Sequence, residues 1–188
     1  QLDEEKNMQA VAHFIDTFVP EHYDLFLDLN RANKTFSGKV TITGEAKAEK
    51  ISLHQKDLMI EAIEVAGQAR PFTLDNDNEA LYVELASAGP VEVTLTYTGK
   101  ITDNMTGIYP SYYTVDGVKK EIISTQFESH FAREAFPSVD EPEAKATFDL
   151  TKQKANWPCL ICLKSTLKTG KRQAFGSLKE PLACLPIS

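Results

Sequence analysis

The chain has 188 residues, 42% of them hydrophobic and 25% charged, with a net charge of −7. That is enough apolar matter for one substantial core and too little compositional bias for disorder, while the excess of acid argues against nucleic acid as a partner. No apolar run approaches the roughly 18 residues a membrane helix needs, and the opening QLDEEKN is acidic where a secretory leader would be basic and then apolar. A cytoplasmic location with no membrane partner is therefore expected.

In chain order, Met8, Val11, Phe14, Ile15 and Phe18 recur at helical spacing ahead of Pro20, which predicts a short amino-terminal helix within residues 1–19. The period then changes to two. In HYDLFLDLN, Tyr23, Leu25, Leu27 and Leu29 share a face, and in VEVTLTYTG the set is Val91, Val93, Leu95 and Tyr97. GKVTITGEA, KISLH, LMIEAIEV, LYVEL and EIISTQF are further strand candidates. They are separated by turn signals at Gly38, Asp75-Asn76-Asp77-Asn78, Ala88-Gly89-Pro90 and Asp116-Gly117. Seven or eight short strands with almost no helix between them predict an all-β fold over residues 20–150, an antiparallel β-sandwich or curved, saddle-like sheet.

Residues 151–188 differ in character. Seven lysines and arginines face Glu180 alone, a net of +6 that leaves −13 for the first 150 residues, and all three cysteines (Cys159, Cys162, Cys184) lie there. Two accounts of this divergent basic tail stay open. One is a shifted reading frame, because codons permitted for Ile161 to Leu167, read one base early, can encode Asn-Met-Pro-Glu-Val-Asn-Val. The other is a native tail with a strand at Cys159–Leu163 docked on the sheet.

Motifs for a self-contained active site are absent from the sequence. There is no Gly-x-Ser-x-Gly elbow and no phosphate-cradling glycine loop, and His13, His22, His54 and His130 have no partners at metal-ligand spacing. Asp75, Asp77 and Glu79 imitate the start of a calcium loop, but Ala80 stands where glycine is required and Ala86 where the bidentate acid belongs, so a polar turn is the better reading. Cys159 and Cys162 have redox or zinc spacing without a second pair. No metal ligand and no catalytic residue is expected in this chain.

Residues 124–150, STQFESHFAREAFPSVDEPEAKATFDL, are the informative stretch. If the strand continues through it, Gln126 and Glu128 face one side and Phe127 anchors the other. Pro142 suits the first position of a short helix running on through Ala146, with Asp140 or Glu141 satisfying its free amides. Arg133 is placed to pair with Asp140 or Glu141, with an exposed ion pair as the plain alternative.

This stretch, with MTGIYPSYY (105–113) and PEHYDLFLDLNRANKTFSGKVTITG (20–44), resembles the amino-terminal domain of the aminopeptidase N family of zinc metallopeptidases, and within it bacterial members of the lactic-acid type. The resemblance spans roughly residues 20–150. It implies a β-rich domain resting on a separate thermolysin-like catalytic domain that carries the zinc; His-Glu-x-x-His and Gly-x-Met-Glu-Asn, which belong there, do not occur in these 188 residues. On matching positions it implies that Glu128 helps bind the free α-amine of a peptide substrate and that Gln126 lines the first subsite. It also implies that the chain alone is inactive. The family usually has cysteine where Ser138 stands. The alternative function is a stand-alone β-sandwich module that binds peptide, protein or glycan.

Overall fold

The computed structural model describes residues 13–152 and Cys159–Leu160. The strands are β1 (Phe18–Asn30), β2 (Thr35–Ala46), β3 (Lys50–His54), β4 (Met59–Val65), β5 (Gln68–Ala69), β6 (Phe72–Asp75), β7 (Ala80–Glu84), β8 (Gly89–Lys100), β9 (Gly107–Val115), β10 (Val118–Gln126), β11 (Thr147–Lys152) and β12 (Cys159–Leu160). They form a six-stranded sheet in the order β11-β1-β2-β8-β4-β5 and two three-stranded sheets, β12-β10-β9 and β3-β7-β6. Pairing is antiparallel except where β11 joins β1 and β12 joins β10. The fold is all-β and sandwich-like.

Period-two patterning explains which face is buried. Leu25, Leu27, Val40, Ile42, Val93, Leu95 and Tyr97 project from the six-stranded sheet into one hydrophobic core, met from the other side by Ile51, Leu53, Leu81, Val83, Ile108 and Ile123. The alternate positions, such as Asp24, Lys39, Thr41, Thr94 and Thr96, face outward; Thr41 and Thr94 join hydroxyls across the strands at 3.1 Å.

The predicted amino-terminal helix is replaced, where residues are described, by a 3-10 turn at Phe14–Asp16, and Phe18 already belongs to β1. Its earlier positions, Met8 and Val11, lie outside the described residues. So do most of residues 151–188, including Cys162 and Cys184; Cys159–Leu160 pair with Ile123 and Ser124 of β10. Among the described residues no helix is long and apolar enough to cross a membrane.

Two cross-strand pairs fix how closely β2 and β8 meet. Gly38 lies opposite Tyr97, and Gly99 lies opposite Phe36. Each ring covers its glycine: a Cβ on Gly38 would stand 2.3 Å from Tyr97 Cζ, and one on Gly99 2.3 Å from Phe36 Cζ. The two rings then meet edge to face at 6.5 Å. Glycine here makes room for aromatic side chains. Gly38→Ala should therefore destabilise the domain by about 1–3 kcal/mol through overpacking, measured as a lower denaturant midpoint at unchanged slope.

Candidate functional site

The two candidate residues sit where β10 ends. Gln126 is the last residue of the strand, opposite Gly107, and Glu128 follows in a turn closed by a hydrogen bond from the Phe131 N–H to the Phe127 carbonyl at 3.1 Å. Glu128 is exposed and its peptide to Ser129 is cis. The two are joined through the turn rather than by strand alternation: the Gln126 side-chain amide donates to the Glu128 carbonyl at 3.3 Å. This corrects the sequence-based picture of one strand presenting both, because the strand has stopped before Glu128.

Phe127 occupies the core side, as its position predicts. Its ring meets Phe136 edge-on at 5.8 Å, and Phe136 meets Tyr23 and Phe148, which stack on each other at 4.7 Å. Tyr23 is buried, and its hydroxyl accepts the Val139 N–H at 3.1 Å. Burial pushes that phenol far above its ordinary pKa, against the opposing pull of the Val139 contact, so it stays neutral. The return segment, residues 135–139, is buried throughout.

Behind the turn lies a group of charges. Arg133 Nε reaches Asp140 Oδ2 at 3.1 Å and its Nη1 reaches Glu79 Oε2 at 3.0 Å, with side chains 13%, 12% and 33% exposed. This is a largely sequestered arrangement, not the exposed pair weighed as the alternative. Lys56 bridges Glu79 (3.1 Å) and Glu134 (3.6 Å), and Thr106 donates to Glu134 at 2.7 Å. Burial pushes the Asp140 carboxyl up although Arg133 opposes it; burial also works against the charge of Glu79, but Lys56 and Arg133 together hold that carboxyl below its usual range. Glu134 also packs against Gly107, whose φ of +61° and whose missing Cβ, which would come 2.9 Å from Glu134 Cβ, admit no other residue without strain.

Glu141 acts elsewhere than predicted. Residues 141–143 form a turn, without the helix expected at Pro142, and the Glu141 carboxylate accepts the Phe14 and Ile15 amides at 2.7 and 3.1 Å. It satisfies the amino-terminal turn, leaving Asp140 to Arg133. The Asp75–Asn78 cluster is a polar turn in which Asp75 accepts from Asn78, and Glu79 beside it belongs to the Arg133 group.

His54 was missed by sequence reasoning. Its backbone exchanges hydrogen bonds with Ser138 (2.7 and 3.1 Å), its Nδ1 accepts the Asp140 N–H at 3.1 Å, and its ring stacks on Phe14 at 4.0 Å. Burial, and then the nearby Arg133 cation, lower its pKa to about 4. A histidine inside an alternating strand gives no hint of this. His130 is exposed in the turn beside Glu128.

Among the described residues, no three His, Cys, Asp or Glu side chains are grouped to hold a metal ion. These residues do not fit a zinc centre, and no chemical step here is routed through one. A shallow hollow of about 470 Å³ lies by Arg31, Tyr112 and Lys119 and includes neither Gln126 nor Glu128.

Two outcomes follow. Arg133→Met strands Asp140 and Glu79 without their guanidinium and should cost about 3 kcal/mol in equilibrium unfolding. For His54 the folded pKa lies below the unfolded one, so the unfolded chain takes up the proton first. Its contribution is intact above about pH 6.5 and is lost as pH falls towards about 4. Wild type should lose on the order of 2 kcal/mol more than His54→Gln across that window; parallel stability profiles for the two proteins would contradict it.

Comparison with known proteins agrees with this architecture. The model of the peptidase M1 N-terminal domain matches residues 19–158. Aminopeptidase N of Lactococcus lactis subsp. lactis is 62% identical over 143 residues, covering 76% of this chain and 17% of that protein. Aminopeptidase N of Lactobacillus delbrueckii subsp. lactis is 53% identical over 75% of the chain and 17% of its own length. The puromycin-sensitive aminopeptidase of Caenorhabditis elegans is 32% identical over 80% of the chain, again 17% of its length. The chain thus spans about one sixth of the relatives it matches. It belongs to the aminopeptidase N (peptidase M1) family, and its β-sandwich is that family's amino-terminal domain.

Proposed function

We propose that this domain anchors peptide substrates by their free α-amine for a zinc-dependent aminopeptidase, with Glu128 as the amine-binding carboxylate and Gln126 lining the first subsite. The observation that carries this reading is an exposed acid in a turn whose flanking residues, Phe127 on one side and residues 135–139 on the other, are fastened into the core. A carboxylate held in this way serves as a ruler. Closed into a partly dry cleft, it makes a short, charge-assisted contact with a terminal ammonium that an internal peptide nitrogen cannot match. Gln126 is tied to the Glu128 carbonyl through its side-chain N–H, which holds it next to that residue.

The zinc chemistry, on this reading, is the work of a separate thermolysin-like catalytic domain, and the present chain contributes positioning alone. It is inert by itself, binds peptides for the intact enzyme, and works in the cytoplasm.

An aminoacyl-anilide assay tests the proposal. The purified chain should give no turnover. Mixed with the separately produced remainder of the Lactococcus lactis relative, it should support hydrolysis. Glu128→Ala should then lower kcat/KM at least about tenfold, mostly through a higher KM. Turnover by the chain alone would sink the claim of inertness, an unaffected Glu128→Ala mixture would overturn Glu128 as the amine-binding carboxylate, and a mixture without hydrolysis would favour the stand-alone binding module.

A further inference from the structure

The end of β3 grips both limbs of the loop that carries Glu128. That loop leaves β10 at Gln126, turns through Glu128, passes the 3-10 turn Ala132–Glu134 and returns through Ser138 to Asp140. On the outgoing limb, the Lys56 N–H donates to the Arg133 carbonyl at 2.9 Å. On the returning limb, His54 and Ser138 exchange backbone hydrogen bonds, and His54 Nδ1 accepts the Asp140 N–H at 3.1 Å. Asp140 then ties the two limbs together. Its Oδ2 accepts from the Arg133 N–H at 3.4 Å and from Nε at 3.1 Å, and its carbonyl accepts from Nη2 at 3.4 Å. Arg133 follows the Glu128 turn closely: Phe131, whose N–H closes that turn on Phe127, accepts in its own carbonyl the Glu134 N–H at 3.2 Å.

One ring nitrogen distinguishes His54 from the other members of this set. Any residue could supply its backbone pairing with Ser138, but the bond from the Asp140 N–H needs an acceptor at Nδ1, hence a neutral ring with its proton on Nε2. Glu79 and Lys56 reach the loop from turns, on long side chains. His54 reaches it from within a paired strand, opposite Ala80 of β7, with a buried ring stacked on Phe14 at 4.0 Å. It is the stiffest link between the sheet and the return limb.

The charged groups that bear on the ring are Arg133 from the 3-10 turn, Glu79 from the turn before β7 and His130 from the turn after β10, while the Asp140 carboxylate is turned to Arg133. Burial is the largest influence and opposes a charge on the ring, as do Arg133 and His130; the Ser138 carbonyl and Glu79 favour one. The ring therefore stays neutral until pH falls towards about 4. A proton on Nδ1 would then set a donor against the Asp140 N–H.

We infer that His54, as a neutral acceptor, is a positioning residue for the amine-binding turn: by holding the Asp140 N–H it keeps Asp140 on Arg133 and so fixes the loop from which Glu128 projects. The inference rests on the reading of Glu128 as the amine-binding carboxylate and deepens it. His54 acts through Asp140 and Arg133, not on a substrate.

Amide hydrogen exchange of the chain, followed by nuclear magnetic resonance, tests this. His54→Leu removes the acceptor at similar volume and should lower the protection of the Phe131 and Asp140 amides at least about tenfold at neutral pH. His54→Asn places an Oδ1 where Nδ1 stands and should restore it. Wild type should lose this protection as pH falls from about 6.5 towards about 4, and His54→Asn should lose less, the remainder belonging to Asp140, whose own protonation also releases Arg133. Gly38→Ala, which weakens the packing between β2 and β8, should lower the protection of Val40 and Leu95 and leave Phe131 unchanged. In the aminoacyl-anilide assay of the mixture, His54→Leu should raise KM several-fold at little cost in kcat, with recovery in His54→Asn.

Unchanged Phe131 protection in His54→Leu would overturn the inference, as would no recovery in His54→Asn. An equal loss in Gly38→Ala would overturn it too, since the effect would then be one of overall stability. So would a loosened loop with an unchanged KM where Glu128→Ala raises it. If Glu128→Ala leaves the mixture unaffected, the amine reading fails, and the hold of His54 on the turn stands or falls on exchange alone. Should His54→Leu fail to fold, the difference between wild type and His54→Asn across the pH range decides in the same way.

Discussion

Phe127 packs against the core directly beside Glu128, which stays exposed. Its ring is seated edge-on against Phe136, inside a set of rings completed by Tyr23 and Phe148. The chain reverses immediately afterwards through the Phe131–Phe127 hydrogen bond. Full burial of an aromatic side chain is worth about 1.5–3 kcal/mol, and the partly buried Phe127 ring gains a share of that which the exposed acid beside it does not oppose. The position of the candidate carboxylate is thus decided by apolar packing contributed from distant segments: β1 supplies Tyr23, β11 supplies Phe148, and the return loop supplies Phe136.

Charge does a different job a few residues on. A set in which Arg133, Asp140, Glu79, Lys56 and Glu134 are linked by ion pairs and hydrogen bonds contributes little net stability once desolvation is counted. What it offers is a single permitted geometry, because each member depends on the others for compensation. It ties the turn after β10 to the entrance of β7 through Glu79, to the loop after β3 through Lys56 and to the entrance of β9 through Glu134 and Thr106. Three otherwise independent loops are therefore held to the wall on which Gln126 and Glu128 stand. The raised pKa of Asp140 and the lowered pKa of Glu79 record the balance between burial and partners at each end of Arg133.

Much of the fold was legible from alternation alone. β1, β2, β3, β4, β7, β8 and β10 all carry clear period-two burial or compact β-branched runs, and the turn signals at Asn76-Asp77-Asn78 and Asp116-Gly117 fall between elements, whereas Gly38 lies inside β2 and Gly89 and Pro90 open β8. β9 was obscured by Pro110, which sits at the edge of its sheet, and β11 by its parallel pairing with β1 across more than a hundred residues, which no local pattern encodes. The helix expected at Pro142 failed for a similar reason: Glu141, its natural capping acid, is recruited by the Phe14 and Ile15 amides from the far end of the chain. At the site, the apolar anchor at Phe127 could be read from its neighbours, and Arg133 could be paired with an acid. Glu79 and His54 could not be foreseen, because their partners come from other strands. Ser138 marks a departure that the fold makes intelligible. Its hydroxyl is buried and meets no hydrogen-bond partner among the described residues, a setting that suits a thiol better.

The exposure of Glu128 limits what it discriminates by itself. Two unit charges about 4 Å apart attract by roughly 1 kcal/mol in bulk water and about 4 kcal/mol in the partly dry surroundings of a protein surface. An acid open to solvent therefore distinguishes a terminal ammonium from a neutral peptide nitrogen only weakly. A body closing over the turn would bring low-dielectric matter alongside Glu128 while Phe127 and residues 135–139 keep the turn tied to the core. Selectivity for a free amine would then arise when the two bodies meet.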